Sequence, residues 1–146
     1  MKQLLFYTGN EWMGLVIRLT VALVMLPHGC QKMFGWFGGY GYKATMDFFI
    51  NSMKLPWTVS VLIIIIEFFG PIGLVVGFAS KIWAAALITI MIGAIVTTNL
   101  KNGFFMNWFG NQSGEGYEYH LLVIGICLAI IMNGSGRLSI DGLLLQ

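Results

Sequence analysis

The sequence predicts an all-α transmembrane bundle of four helices, with a short interfacial helix between the first two. Three observations lead there. Of 146 residues, 58% are hydrophobic and 10% are charged, against roughly 25% charged in an ordinary soluble domain. Four runs, residues 12–32, 57–79, 82–100 and 117–133, approach the ~20 apolar residues that a helix needs to cross a bilayer. These runs are continuously apolar rather than alternating, which excludes outer-membrane strands of about ten residues. Lipid offers no partners to backbone amides and carbonyls, so each run is expected to be helical.

The length suits one integral membrane domain over residues 1–146. A formal net charge of +2 gives no footing for nucleic acid or another polyanion. Lys2 precedes the first run, but Arg18 interrupts it and no small-residue cleavage site follows, so the first span is expected to be retained. With four spans both termini share one side of the membrane, here the terminal side, and the opposite side is the far side.

The first span ends in "LPHGCQKMFG", where Pro27 supplies no amide and Gly29 adds freedom, so a bend that opens the far end is expected. In the "GYKATMDFFINSMKLP" that follows, Met46, Phe49, Ile50 and Met53 recur at helical spacing, with Lys43, Asp47, Asn51 and Lys54 on another face. This is the pattern of a short interfacial helix. The second span carries Glu67, then Pro71 one turn later, and the glycines of "EFFGPIGLVVG" read as close-packing positions, as do Gly93 and Ala94 in the third span.

"KNGFFMNWFGNQSGEGYEYH" mixes glycine with aromatics and is expected to lie at headgroup level before the fourth span. The closing "NGSGRLSIDG" reads as a helix stop at Gly134 and Gly136, with Ser139 or Asp141 capping a short turn. All five tryptophans fall near span ends: Trp12 and Trp83 on the terminal side, Trp36, Trp57 and Trp108 on the far side. Lysines and arginines occur on both sides, so the positive-inside count does not orient the chain.

Ionisable residues within the spans point to function, because a charge near the bilayer centre costs at least ~2.5 kcal/mol on insertion scales. At ~1.5 Å rise per residue, Arg18 lies ~9 Å and Glu67 ~18 Å from the terminal side, within reach of an ion pair. His28 and Lys32 share a face four residues apart, about 80° or less from Arg18 on a helical wheel. At their level the third span ends in Thr97, Thr98 and Asn99, and the fourth begins with Glu118, Tyr119 and His120. Glu118 and His120 are two apart, so both cannot point inward. A far-side polar pocket is expected.

No HxxxH, HExxH or CxxC spacing supports a metal site, and no metal is expected. Cys30 and Cys127 should stand apart in depth, which argues against a disulfide. The nine methionines read as filling and lipid-facing bulk.

The chain resembles the DoxX family of small four-helix bacterial and archaeal membrane proteins. The resemblance rests on the first-span arginine followed by "HGCQKMFGWFGGYG", on "EFFGPIGLVVGFASK", on "GYEYHLLV" and on the closing "NGSGRLSIDGLL". The family is named for the small subunit of an archaeal quinone-linked oxidoreductase, and other members are associated with membrane redox or thiol-stress functions. It implies a multi-pass protein of the prokaryotic cytoplasmic (inner) membrane, with cytoplasmic termini. The family's polar positions correspond to Arg18, His28, Lys32, Glu67 and Glu118, with Ser139 and Asp141 in the tail.

Three functions are open on this reading. The first is a redox-associated subunit whose pocket, formed by Arg18, His28, Lys32, Glu67, Asn99, Glu118 and His120, binds a quinone or quinol. His28 or Lys32 would bond a quinone oxygen, and Glu67 or Glu118 would relay its proton. Other membrane or redox subunits would supply electrons. The second is a non-catalytic accessory or assembly subunit of a larger membrane complex. The third, a small-molecule carrier, is disfavoured because four short helices without a repeat make alternating access hard to build.

Overall fold

The computed structural model describes residues 11–144, and Lys2, with the reading of the N-terminal end as retained, lies outside them. All regular secondary structure among the described residues is helical, without strands. α1 spans Trp12–Phe34. α2, Gly41–Asp47, continues as a π turn, Phe48–Ser52. α3 is Trp57–Val76 and α4 is Ser80–Ala94, the latter extended by a second π turn, Ile95–Asn99, and a 3₁₀ turn, Leu100–Asn102. α5 is Glu118–Asn133, and a one-turn α6, Ile140–Leu143, closes the chain.

Among the described residues three helices are long and apolar enough to cross a membrane: α1, α3, and α4 with its extension. α5, with 16 residues, is shorter than a typical span. Large apolar side chains cover the outside, among them Leu23, Leu62, Val96, Leu122 and Met132, as a lipid solvent requires. The core lies between the helices, where Val21, Ala22, Met25, Leu74, Ala84, Leu87, Met91, Val123, Cys127 and Ile130 form one buried cluster. Both cysteines are free.

α1 and α3 make the most extensive contact in the bundle, and glycine explains it. A Cβ on Gly29 would lie 2.3 Å from the Glu67 carbonyl oxygen and 2.6 Å from the Phe68 Cα. Gly29 therefore serves backbone approach rather than the chain freedom expected of it. Pro27 is accommodated within an unbroken α1. Gly73 similarly admits Trp83, whose Nε1 would lie 2.3 Å from a Cβ there. Trp83 is thus turned into the bundle rather than out to the membrane boundary. Gly93 differs from the close-packing role expected, since a Cβ there would meet nothing within 4 Å.

The amphipathic pattern between the first two spans is realised. Met46 and Phe49 are buried against Ile64 of α3, with Ile50 and Met53 beside them. The helix changes pitch at Phe48, where the Met53 amide donates to the Phe48 carbonyl five residues back at 3.0 Å. Periodicity alone does not reveal such a bulge.

Candidate functional site

The polar residues of the spans separate into two groups at opposite ends of the bundle. The expected Arg18–Glu67 ion pair is not formed. Arg18 is buried, and its five N–H donors meet five carbonyls: Ser135 from Nε at 2.9 Å, Leu74 at 2.7 Å and Val75 from one terminal nitrogen, and Arg137 at 3.1 Å and Leu138 at 2.6 Å from the other. Two of these carbonyls belong to the last turn of α3, whose orphan oxygens need donors. The other three belong to the tail.

The tail is fixed in the same place by buried Asp141, which accepts from the Ala79 amide at 2.7 Å and the Ser80 amide at 3.0 Å at the start of α4. Ser135 donates to Asp141, and its hydroxyl also lies 2.8 Å from that of Ser80. Ser139 caps α6, accepting from the Gly142 amide at 3.2 Å. Gly77 has a φ of +67°, and a Cβ there would lie 2.5 Å from that of Ser139 and 3.1 Å from the Arg18 guanidinium carbon. Only glycine meets both demands. This end is a closed structural lock, and Arg18 belongs to it rather than to the far-side group.

At the other end Glu67 pairs with Lys32. The Gly29 crossing sets α3 against α1, which brings this carboxylate within reach of Lys32, about one turn beyond Gly29 on α1. The Glu67 side chain is 7% exposed and that of Lys32 26%, so the pair is largely out of solvent. Glu67 Oε2 takes no further hydrogen bond among the described residues. Around the pair lies a cavity of about 410 Å³, lined by His28, Lys32, Glu67, Asn99 and His120, with Thr97, Thr98, Glu115 and Tyr119. Apolar side chains dominate its walls, including Met25, Phe48, Phe49, Met53, Met91 and Met106.

Each helix contributes for a local reason. His28 and Lys32 occupy one face of α1, and the His28 ring lies 5.9 Å from that of Tyr119 on α5. The π turn at the end of α4 brings Thr97, Thr98 and Asn99 to the wall. Asn99 also donates to the Glu115 carbonyl at 2.9 Å, tying α4 to the loop before α5. His120 Nδ1 is buried without a hydrogen-bond partner among the described residues. Glu118 does not line the cavity; its Oε2 accepts from the Met106 amide at 3.3 Å and orders the loop. Of the residues singled out in the sequence, His28, Lys32, Glu67, Asn99 and His120 are therefore brought together, and Arg18 and Glu118 are not.

Tyr119, which the sequence puts at this depth without singling it out as a ligand-binding residue, also lines the cavity. Its hydroxyl reaches the Met25 sulfur at 3.3 Å. Phe48 and Phe49 could be found only through the fold, since their contribution depends on α2 folding back on α1 and α3. Among the described residues, no three of His, Cys, Asp and Glu converge as metal ligands. The arrangement can hold a small molecule with an apolar body and offer hydrogen bonds to polar groups at one end.

Residues 13–100 match the DoxX family. The chain is also 32% identical over 127 residues, 87% of its own length and 83% of the other's, to a Bacillus subtilis (strain 168) protein named "Putative oxidoreductase CatD". No solved structure matches the chain.

Proposed function

The chain belongs to the DoxX family, and from that premise we propose a redox-associated membrane subunit whose far-side cavity binds a quinone or quinol ring. The observation that carries this reading is the cavity itself, an apolar chamber with His28, the Lys32–Glu67 pair, Asn99 and His120 in its lining. A ring of that class needs flat apolar walls, which the methionines and phenylalanines supply, and donors for its oxygens. Lys32 and the two imidazoles supply donors, and histidine exchanges protons near neutral pH. The name carried by the Bacillus relative agrees with redox chemistry. Quinone reduction also takes two electrons, and a partner oxidoreductase subunit supplies them in this reading. The same reading puts the protein in the cytoplasmic membrane of a prokaryote with both termini on the cytoplasmic side.

The test is binding of a short-chain 1,4-benzoquinone to the purified chain in lipid nanodiscs, followed by competition in native mass spectrometry. Saturable binding is expected, weakened about tenfold or more by His28→Ala, the order of losing a charge-assisted hydrogen bond. Absence of binding, or wild-type affinity in both His28→Ala and Glu67→Gln, overturns the reading.

A second reading has one observation in its favour: Lys32 and Glu67 already satisfy each other, as in an internal lock. The chain would then be an accessory or assembly subunit docked to a larger membrane complex. Recovery only as a lone protein or homo-oligomer after mild solubilisation counts against it.

A further inference from the structure

A second, larger chamber of about 570 Å³ lies outside the first, between the end of α1, the glycine turn after it and α2. Its lining includes Gln31, Gly39, Tyr40, Ala44 and Thr45. Lys32, Phe48 and Phe49 line both chambers. The partition between them is therefore shared by one lysine and two aromatic residues, whose side chains change rotamer on fast timescales where they are exposed. Phe48 is half exposed and Phe49 buried, and their rings stand 6.0 Å apart.

Polar side chains are distributed unequally across this partition. The inner chamber has both histidines and the carboxylate of Glu67. The outer one adds no acidic side chain and no histidine, and Lys32, its only cation, is held by Glu67. The Gln31 amide is likewise engaged, donating to the Phe37 carbonyl at 3.1 Å. What the outer chamber offers a ligand is mainly shape and apolar contact. The π turn that carries Phe48 and Phe49 is where the two spaces adjoin, a position at which such bulges often serve function.

We propose that the outer chamber is a tail subsite: it takes the first segment of an alkyl or isoprenoid chain whose polar ring sits in the inner chamber. The chain passes between Phe48 and the stem of Lys32, along the side facing α2. This rests on the quinone reading of the inner chamber and narrows it to membrane-dissolved, long-tailed molecules, excluding small water-soluble phenols and quinones as preferred ligands. Ala44 is exposed on α2 and lines only the outer chamber, so a larger side chain there would fill the tail path from a helix surface.

The experiment offers the full-length protein in nanodiscs two 1,4-benzoquinones with the same ring, one bearing a methyl group and one a ten-carbon chain, at equal mole fraction to lipid. Native mass spectrometry reads the ratio in which they are retained. The wild type is expected to favour the chain-bearing compound at least tenfold, and Ala44→Trp to bring that ratio within about threefold of unity. Ala44→Leu, a smaller change on the same helix face, is expected to lie between them. Equal retention of the two compounds by the wild type overturns the tail subsite and leaves the ring site standing. A preference unchanged in both Ala44 variants also overturns it. Retention of neither compound overturns the ring site and this inference with it.

Discussion

Lys32 and Glu67 show how a single pair is decided by packing rather than by charge alone. A carboxylate in the second span could find Arg18 or Lys32 on the first, and depth counting points to Arg18. Arg18 is withdrawn because five carbonyls from α3 and the tail use all of its donors, a match to guanidinium geometry that lysine cannot reproduce. Glu67 is left to Lys32. Breaking a buried pair from one side leaves a charge without compensation, whereas removing both charges can be nearly neutral. Lys32→Met is expected to destabilise the bundle by about 3 kcal/mol, the lower end of the range because Lys32 is partly exposed. Lys32→Met combined with Glu67→Leu should recover most of that loss. A double-mutant cycle on detergent denaturation midpoints measures the coupling, and additive losses would exclude an energetic pair.

At the level of the helices, the glycines divide by what faces them. Gly29 lies against the backbone of α3, and its Cβ would approach the Glu67 carbonyl to 2.3 Å. Backbone cannot rotate away, so Gly29→Ala is expected to cost about 1–3 kcal/mol through overpacking. It should also push Glu67 from Lys32 and weaken ligand binding in the cavity. Gly93 has open space within α4, and Gly93→Ala is expected to stabilise by about 0.5–1 kcal/mol through helix propensity alone. Opposite shifts of the denaturation midpoint in these two variants would check the assignment, and equal shifts would contradict it. The π turns ending α2 and α4 belong to this scale too. Phe49 lies within the first and Asn99 at the end of the second, and both line the same cavity.

Over the whole molecule the two ends have different tasks. The terminal end is closed by the tail, where Asp141 caps α4 and Arg18 gathers the carbonyls. The far end is left open as two adjoining chambers. α5 rises only about 24 Å at 1.5 Å per residue, against a hydrocarbon core of about 30 Å. Its first turn carries Glu118, Tyr119 and His120, so the membrane would have to thin locally, or the loop before it dip inward, for α5 to cross. A crossing is expected. A reporter inserted after Gly110 should lie on the opposite side of the membrane from one fused at the C-terminus, and detection of both on the same side would show that α5 does not span.

The sequence by itself determined the solvent and the class of fold, because continuous apolar runs in lipid have no alternative to helix. It also marked the far-side polar group, since His28 and Lys32 on one helix face and Asn99 and His120 at matching depth follow from rise and period alone. Tertiary structure decided which partner each charge takes, which of Glu118 and His120 turns inward, and where the chain changes helical pitch. Those outcomes depend on contacts between residues far apart in sequence: a glycine that lets α3 approach α1, and a tail that returns to claim Arg18. Periodicity describes a helix as seen from its own axis, and it contains no information about what stands opposite.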